Sequence, residues 1–242
     1  MTERLKAILA ALLLSTIMGA AASAQDARGD AHELIARGNE RYARAEYEAA
    51  IKVYALVPAE AGEAYAQALY NIGVCRFELW QTEEAAAMYA RAVESRGGRY
   101  PKASYALGVA LEELGRAAEA KEAYARAANA GNYAPAHYKL GMLAAAAGDT
   151  GGAAAHFREA VKRSKGKFPA SRNNLGVMLA RAGRLSEAER EFEAALRDSD
   201  GTFKEAAHNL KLCRTLLATS GWGGASAAEL KVTAASADGF SR

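Results

Sequence analysis

Residues 174–192 read NLGVMLARAGRLSEAEREF, and four upstream stretches align with it. They are ARGNERYARAEYEAAIKVY (36–54), NIGVCRFELWQTEEAAAMY (71–89), ALGVALEELGRAAEAKEAY (106–124) and KLGMLAAAAGDTGGAAAHF (139–157). Their glycines, Gly38, Gly73, Gly108, Gly141 and Gly176, stand 35, 35, 33 and 35 residues apart. A partial sixth copy, NLKLCRTLLA (209–218), has Lys211 in the glycine slot, again 35 residues on. A period in this range is the mark of a stacked repeat, in which one unit cannot bury its apolar face alone and the next unit covers it.

Other positions march with the glycine. Twelve residues after it stands Ala50, Ala85, Ala120, Ala153 or Ala188; sixteen after it, Tyr54, Tyr89, Tyr124, Phe157 or Phe192. Nineteen after it stands Val57, Ala92, Ala127, Ala160 or Ala195, and one before it an Ile or Leu in every copy but the first, which has Arg37. Eight residues before it comes Tyr65, Tyr100, Tyr133, Phe168 or Phe203, and ten before it Gly98, Gly131, Gly166 or Gly201, with Glu63 out of line. Each repeat therefore reads as two helices joined to the next pair by a Gly-x-aromatic linker. The small face of the first helix lets the aromatic of the second pack close. Pro101 and Pro169 follow the linker aromatic, at a first helical turn where proline is tolerated. The linker glycine supplies the positive φ that ends a helix, and the linker aromatic packs back on its neighbours.

The Leu-Gly pair of the first helix and the small-aromatic-small set of the second resemble the tetratricopeptide repeat family. The resemblance covers five repeats, about 31–64, 65–99, 100–132, 133–167 and 168–202, with a capping helix at 203–219. It implies an all-α fold: a right-handed superhelical solenoid of antiparallel helix pairs over 25–219, closed by that C-terminal cap. Two departures stand out. The family's tryptophan-like slot holds Leu34, Leu69, Ser104, His137 and Arg172, and the proline usual near the end of the second helix is absent. Lys204, Glu205, Lys211 and Arg214 spread over the cap, as a solvated end requires. Residues 220–242 show no repeat and read as a disordered tail, with Trp222 and the AAELKV run as its one candidate for docking.

The first 24 residues read as a signal peptide. Arg4 and Lys6 precede an apolar run from Ala7 to Met18, and Ala22-Ser23-Ala24 offers small residues for cleavage before Gln25. Twelve apolar residues are short for a span, so the expectation is export without a stable membrane anchor. The alanine-rich leader resembles bacterial signals, which implies the periplasm, or secretion beyond it. In an exported chain disulfides are permitted. Cys75 and Cys213 lie four repeats apart at the same register position, and so read as buried free thiols, with an intermolecular bridge as the lesser reading.

Composition excludes several classes. Apolar residues make up 51% and charged residues 24%, which is not a disordered composition. The net charge is +3, and removing Glu3, Arg4 and Lys6 with the leader leaves +2, with both signs interspersed. No nucleic-acid partner is expected. His32, His137, His156 and His208 show no zinc spacing. There is no G-x-S-x-G, no phosphate loop and no CxxC. No cofactor, no metal and no enzyme activity are expected.

In the resembled family, first helices line a groove through the positions three before, one after and four after the glycine. The resemblance places Ile35, Tyr70, Tyr105, Tyr138 and Asn173 in the first set. Asn39, Val74, Val109, Met142 and Val177 fall in the second, and Tyr42, Phe77, Glu112, Ala145 and Ala180 in the third. Repeated tyrosines give a broad amphipathic surface suited to a peptide, unless they pack between repeats. Some members clamp a peptide carboxylate with two asparagines and three cations. Asn39, Asn71 and Lys102 match three of those slots, whereas Ile35 and Ala106 lack the charge of the other two. The implied function is a protein–protein interaction scaffold in the cell envelope that binds a partner peptide in its groove. The alternative is a self-associating assembly protein, a homo-oligomer.

Overall fold

The computed structural model describes residues 29–131, 133–165 and 167–219, together with Leu230, Lys231 and Thr233. The expected signal peptide, residues 1–24, lies outside the described residues, as does most of the segment 220–242. All regular structure among the described residues is helical. The helices are α1 (29–43), α2 (Tyr47–Tyr54), α3 (Glu63–Glu78), α4 (Thr82–Ser95), α5 (Pro101–Glu113) and α6 (Ala117–Ala130). They continue as α7 (Ala134–Ala146), α8 (Thr150–Arg163), α9 (Pro169–Arg181), α10 (Leu185–Asp198) and α11 (Lys204–Ala218). A 3₁₀ turn at Ala59–Ala61 precedes α3. The chain forms two compact units, 1–117 and 118–242. The first holds α1 to α5 and the second holds α6 to α11.

Within each unit, helices pack in chain order. In the first, α2 lies on α3, α3 on α4 and α4 on α5. In the second, α7 lies on α8, α8 on α9, α9 on α10 and α10 on α11, while α9 also meets α11. The register glycines explain how close the partners come. A Cβ at Gly176 would stand 2.6 Å from Phe192 Cε1, and one at Gly73 2.6 Å from Tyr89 Cε1. Gly38 meets Tyr54, and Gly141 meets Phe157, in the same way. The ring takes the volume that a side chain would need. Tyr54, Tyr89, Phe157 and Phe192 are all buried, and burying a ring of this size stabilises by roughly 2–3 kcal/mol.

Every turn inside a repeat closes the same way. The residue seven after the register glycine takes a positive φ: Ala45 (56°), Trp80 (60°), Gly115 (72°), Gly148 (79°) and Gly183 (77°). The next amide then reaches five residues back, as in Arg184 N–H to Leu179 O (2.9 Å) and Gln81 N–H to Arg76 O (2.9 Å). This 6→1 bond and the bond beside it satisfy the last carbonyls of the first helix. The tight turn fixes an antiparallel pair. Between repeats, Gly98 (80°) and Gly201 (75°) carry the positive φ expected of the linker glycine. Pro101, Pro135 and Pro169 sit in the first turns of α5, α7 and α9, and Asp149 caps α8 by accepting from Gly152 N–H at 2.8 Å.

The cap is held by charge as well as packing. Arg214 on α11 donates to Glu189 (2.8 Å) and Glu193 (2.7 Å) of α10. Cys75 and Cys213 are both buried free thiols. Burial pushes the Cys75 thiol up to about 12, and that of Cys213 is raised for the same reason. Cys213 Sγ rests 3.4 Å from Leu185 O.

Candidate functional site

Helix α9 departs from the one-sided burial of a surface helix. Asn173, Asn174, Leu175, Gly176, Val177, Met178, Leu179 and Ala180 are consecutive and all buried. A helix packed on one side buries a stripe about 100° wide, so something must cover its remaining face. Helices α8, α10 and α11 all pack on α9, and Leu230, Lys231 and Thr233 of the chain's own C-terminal segment add to that cover. Leu230 is 2% exposed and belongs to the apolar cluster of the second unit. Lys231 and Thr233 are held by side-chain amides of α9 and α11. The sequence reading of 220–242 is a disordered tail with the AAELKV run as a candidate for docking. Leu230 and Lys231 of that run, with Thr233, are seated on the first-helix face, because three buried amides there meet their backbone.

The geometry is paired. Asn209 Nδ2 donates to Lys231 O at 2.9 Å, and Lys231 N–H donates to Asn209 Oδ1 at 3.0 Å. Asn174 Nδ2 donates to Thr233 O at 2.8 Å, and Thr233 N–H donates to Asn174 Oδ1 at 2.8 Å. Each amide matches both polar groups of one residue. Flipping either amide would face donor with donor and acceptor with acceptor. Asn173 ties the pairs together. Its Nδ2 donates to Thr233 Oγ1 (2.9 Å) and Lys231 O (3.2 Å), and its Oδ1 accepts from Asn209 Nδ2 (2.8 Å). Tyr138 of α7 adds its hydroxyl to Thr233 O. Asn173, Asn174 and Asn209 are fully buried, and an unpaired buried amide costs about 1–3 kcal/mol. The segment's backbone fills that need.

The expected groove residues of the second unit are thus all near one another. Tyr138 is buried, not open, with its ring 5.7 Å from Phe157 and 5.0 Å from Phe168. Met142 Sδ lies 3.3 Å from Asn174 Nδ2, and Val177 is buried on α9. In the first unit Tyr70 plays the same part as Tyr138, with ring centroids 5.6 Å from Tyr89 and 5.9 Å from Tyr100. Lys102 Nζ sits 4.9 Å from the Tyr70 ring centre. So the register tyrosines Tyr70 and Tyr138 pack on the second-helix aromatic of their own repeat and on the next linker aromatic. They form the wall of the face rather than a free row of rings. Their edges stay beside it, since an aromatic keeps an apolar body and a polar tip.

The first unit carries its own polar set. Asn39 Oδ1 accepts from Tyr54 Oη (2.7 Å) and from Asn71 Nδ2 (3.3 Å). Tyr42 donates to Glu78 at 3.2 Å, and burial, with Glu78 beside it, pushes its hydroxyl up to about 12. Val74, Phe77, Tyr105 and Val109 are half-buried, and Lys102 is exposed. Asn39 and Asn71 therefore bond to each other, and Lys102 stacks on Tyr70, so the three matches to a carboxylate clamp are engaged with neighbours.

Elsewhere, His137 and His156 face each other with Nδ1 atoms 3.5 Å apart, and burial lowers both. Among the described residues no three His, Cys, Asp or Glu side chains gather as metal ligands. No described helix is long and apolar enough to cross a membrane.

A tetratricopeptide repeat family model matches residues 76–135 and 138–202, more than half of the chain. The chain belongs to the tetratricopeptide repeat family. It is thereby a repeat protein of the protein–protein interaction scaffold class. Its fold is similar to the crystal structure of MamA, at 23% identity over 69% of this chain and 96% of that one, with TM-score 0.56. It is also similar to YrrB, described as a TPR protein with an unusual peptide-binding site, at 22% identity, 79% and 97% coverage and TM-score 0.54. MamA from Desulfovibrio magneticus RS-1 gives 18% identity, 72% and 97% coverage and TM-score 0.54. At these identities the likeness concerns the fold. No curated protein matches the chain.

Two residues of the site, Asn174 and Asn209, are absent from the groove positions read off the sequence. The signal for them was present. The position two before the register glycine holds Asn71, Asn174 and Asn209, so following Asn71 down its own ladder reaches both.

Proposed function

We propose that this protein is a non-catalytic interaction module that holds an extended segment of another protein by its backbone across α7, α9 and α11. The observation that carries this reading is the pair of two-way hydrogen bonds from Asn174 and Asn209 to alternate residues, Thr233 and Lys231. In an extended chain, residues two apart present their polar groups to the same side, and an asparagine amide complements one residue's N–H and C=O together. Such a site reads main chain first and side chains second. YrrB, of the same fold, is described as peptide-binding, which supports the same use here.

The leader-like residues 1–24 support export, and we place the protein in the periplasm or outside the cell, acting in the cell envelope. The alternative is self-association through the end of the repeat. The observation in its favour is a shallow groove between α10 and α11 lined by Leu196, Leu210 and Ala218.

A photoreactive amino acid at Met142, irradiated in living cells, tests the docking reading. Crosslinks to another polypeptide that vanish in an Asn174→Ala/Asn209→Ala variant support it; crosslinks indifferent to those changes refute it. A periplasm-specific reporter fused after residue 219 tests export, and an inactive, well-expressed fusion would refute that part.

A further inference from the structure

The seated segment shows what the face asks of a ligand beyond its backbone. Leu230 is almost completely buried in the apolar cluster of the second unit. Three residues on, the Thr233 hydroxyl accepts a hydrogen bond from Asn173 at 2.9 Å. Between them Lys231 gives only its backbone, and its side chain is exposed. The three described residues define a pattern: an aliphatic residue buried in the apolar cluster, a next residue held by its backbone, and a hydroxyl residue three places after the first.

The segment can reach this place within its own chain. Asn209 lies ten positions before the end of the cap at Thr219, roughly 15 Å along a helix. The ten residues 220–229 span up to about 33 Å. A segment tethered so closely meets its site at an effective concentration on the order of millimolar.

Resting on the docking function above, we propose that the face selects extended segments of the form aliphatic-x-x-Thr/Ser, and that Leu230–Thr233 is a built-in competitor which such a partner must displace. The tail imitates the ligand. A partner gains the face only when it binds better than the tethered copy or when something removes that copy, so the free chain is in its closed state.

The test uses the full chain and a fluorescein-labelled peptide carrying residues 226–237, SAAELKVTAASA, read by anisotropy. Two variants free the face. Leu230→Asp puts a charge in the apolar cluster, and Thr233→Pro removes the N–H that Asn174 accepts. Both positions lie outside the helical repeats in sequence, and a retained cooperative helical melting transition confirms that the repeats fold. Both variants are expected to bind the peptide at least ~10-fold more tightly than wild type, as release from a tethered competitor requires. A peptide with Thr replaced by Val, or Leu by Asp, is expected to bind at least ~10-fold more weakly. Equal affinity of wild type and both variants would overturn the competitor while leaving the docking function standing. No binding by any of them would overturn the docking function as well. A wild-type mass by light scattering that rises with concentration, and that falls to monomer in the variants, would show the segment exchanged between copies and overturn competition within one chain. Indifference to the Thr and Leu replacements would overturn the pattern.

Discussion

Asn174 and Asn209 occupy the same register position of successive first helices, 35 residues apart, and each grips one residue of the C-terminal segment through both its amide and its carbonyl. The repeat period becomes a spacing in space. Asn174 on α9 bonds Thr233 and Asn209 on α11 bonds Lys231, so neighbouring first helices serve residues two apart in the segment, about 6.6–6.8 Å along an extended chain. A repeat that places one amide per helix is thus matched to a strand, and a ligand held this way runs across the helices rather than along one of them.

The close approach of Gly176 to Phe192 predicts a steep cost for any side chain there. Gly176→Ala should lower stability by about 1–3 kcal/mol, as overpacking of a filled core does, read as a fall in the thermal midpoint. Pairing it with Phe192→Leu should recover part of the loss, because the atom in conflict belongs to the ring. A variant as stable as wild type would mean that the helices separate freely.

The turn inside each repeat predicts two changes of opposite sign. Gly183 has φ 77° and Ala45 has φ 56°. A residue with a Cβ pays roughly 1–2 kcal/mol in that region, while glycine loses about 0.5–1 kcal/mol more conformational freedom on folding. Gly183→Ala should therefore destabilise, and Ala45→Gly should stabilise by a smaller amount. Urea titration of both variants checks the signs.

Cys75 and Tyr42 predict loss of stability in alkali. Both groups have their pKa raised in the folded chain to about 12, from ordinary values of 9.0 and 10.0, with burial as the leading cause. Their contribution is complete below the unfolded value and is lost as pH rises from about 9 toward 12. Denaturation midpoints measured from pH 8 to 11.5 should fall across that window, and Cys75→Ala should flatten the early part of the fall. At pH 8 the native Cys75 should resist thiol reagents that label the unfolded chain at once. Rapid native labelling at that pH would contradict the burial.

Most of the fold was legible because its determinants repeat. One glycine and one aromatic, recurring in register, give the helix pairs, their order and their close contact. The turn inside the repeat was harder to see, since its positive-φ position holds Ala45 and Trp80 in two copies and glycine in three. The tyrosines were placed on the right helices, yet their orientation depends on which aromatics come beside them. Tyr138 packs on Phe157 of α8 and on the linker aromatic Phe168, and no pattern local to α7 reveals that. The docked segment was least legible. LKVT carries no periodicity of its own, and what orders it is a set of amides 22 and 59 residues away in the chain.

Hydrogen exchange at the amides of Lys231 and Thr233 in the full-length chain tests the central claim most directly. The account predicts slow exchange at both in wild type. In the near-isosteric Asn174→Asp/Asn209→Asp variant, where a carboxylate replaces the amide group that donates to each carbonyl, exchange should accelerate roughly 5- to 13-fold, the loss of one buried hydrogen bond of about 1–1.5 kcal/mol. Exchange in wild type at the rate of an unstructured peptide, unchanged by the two substitutions, would contradict it.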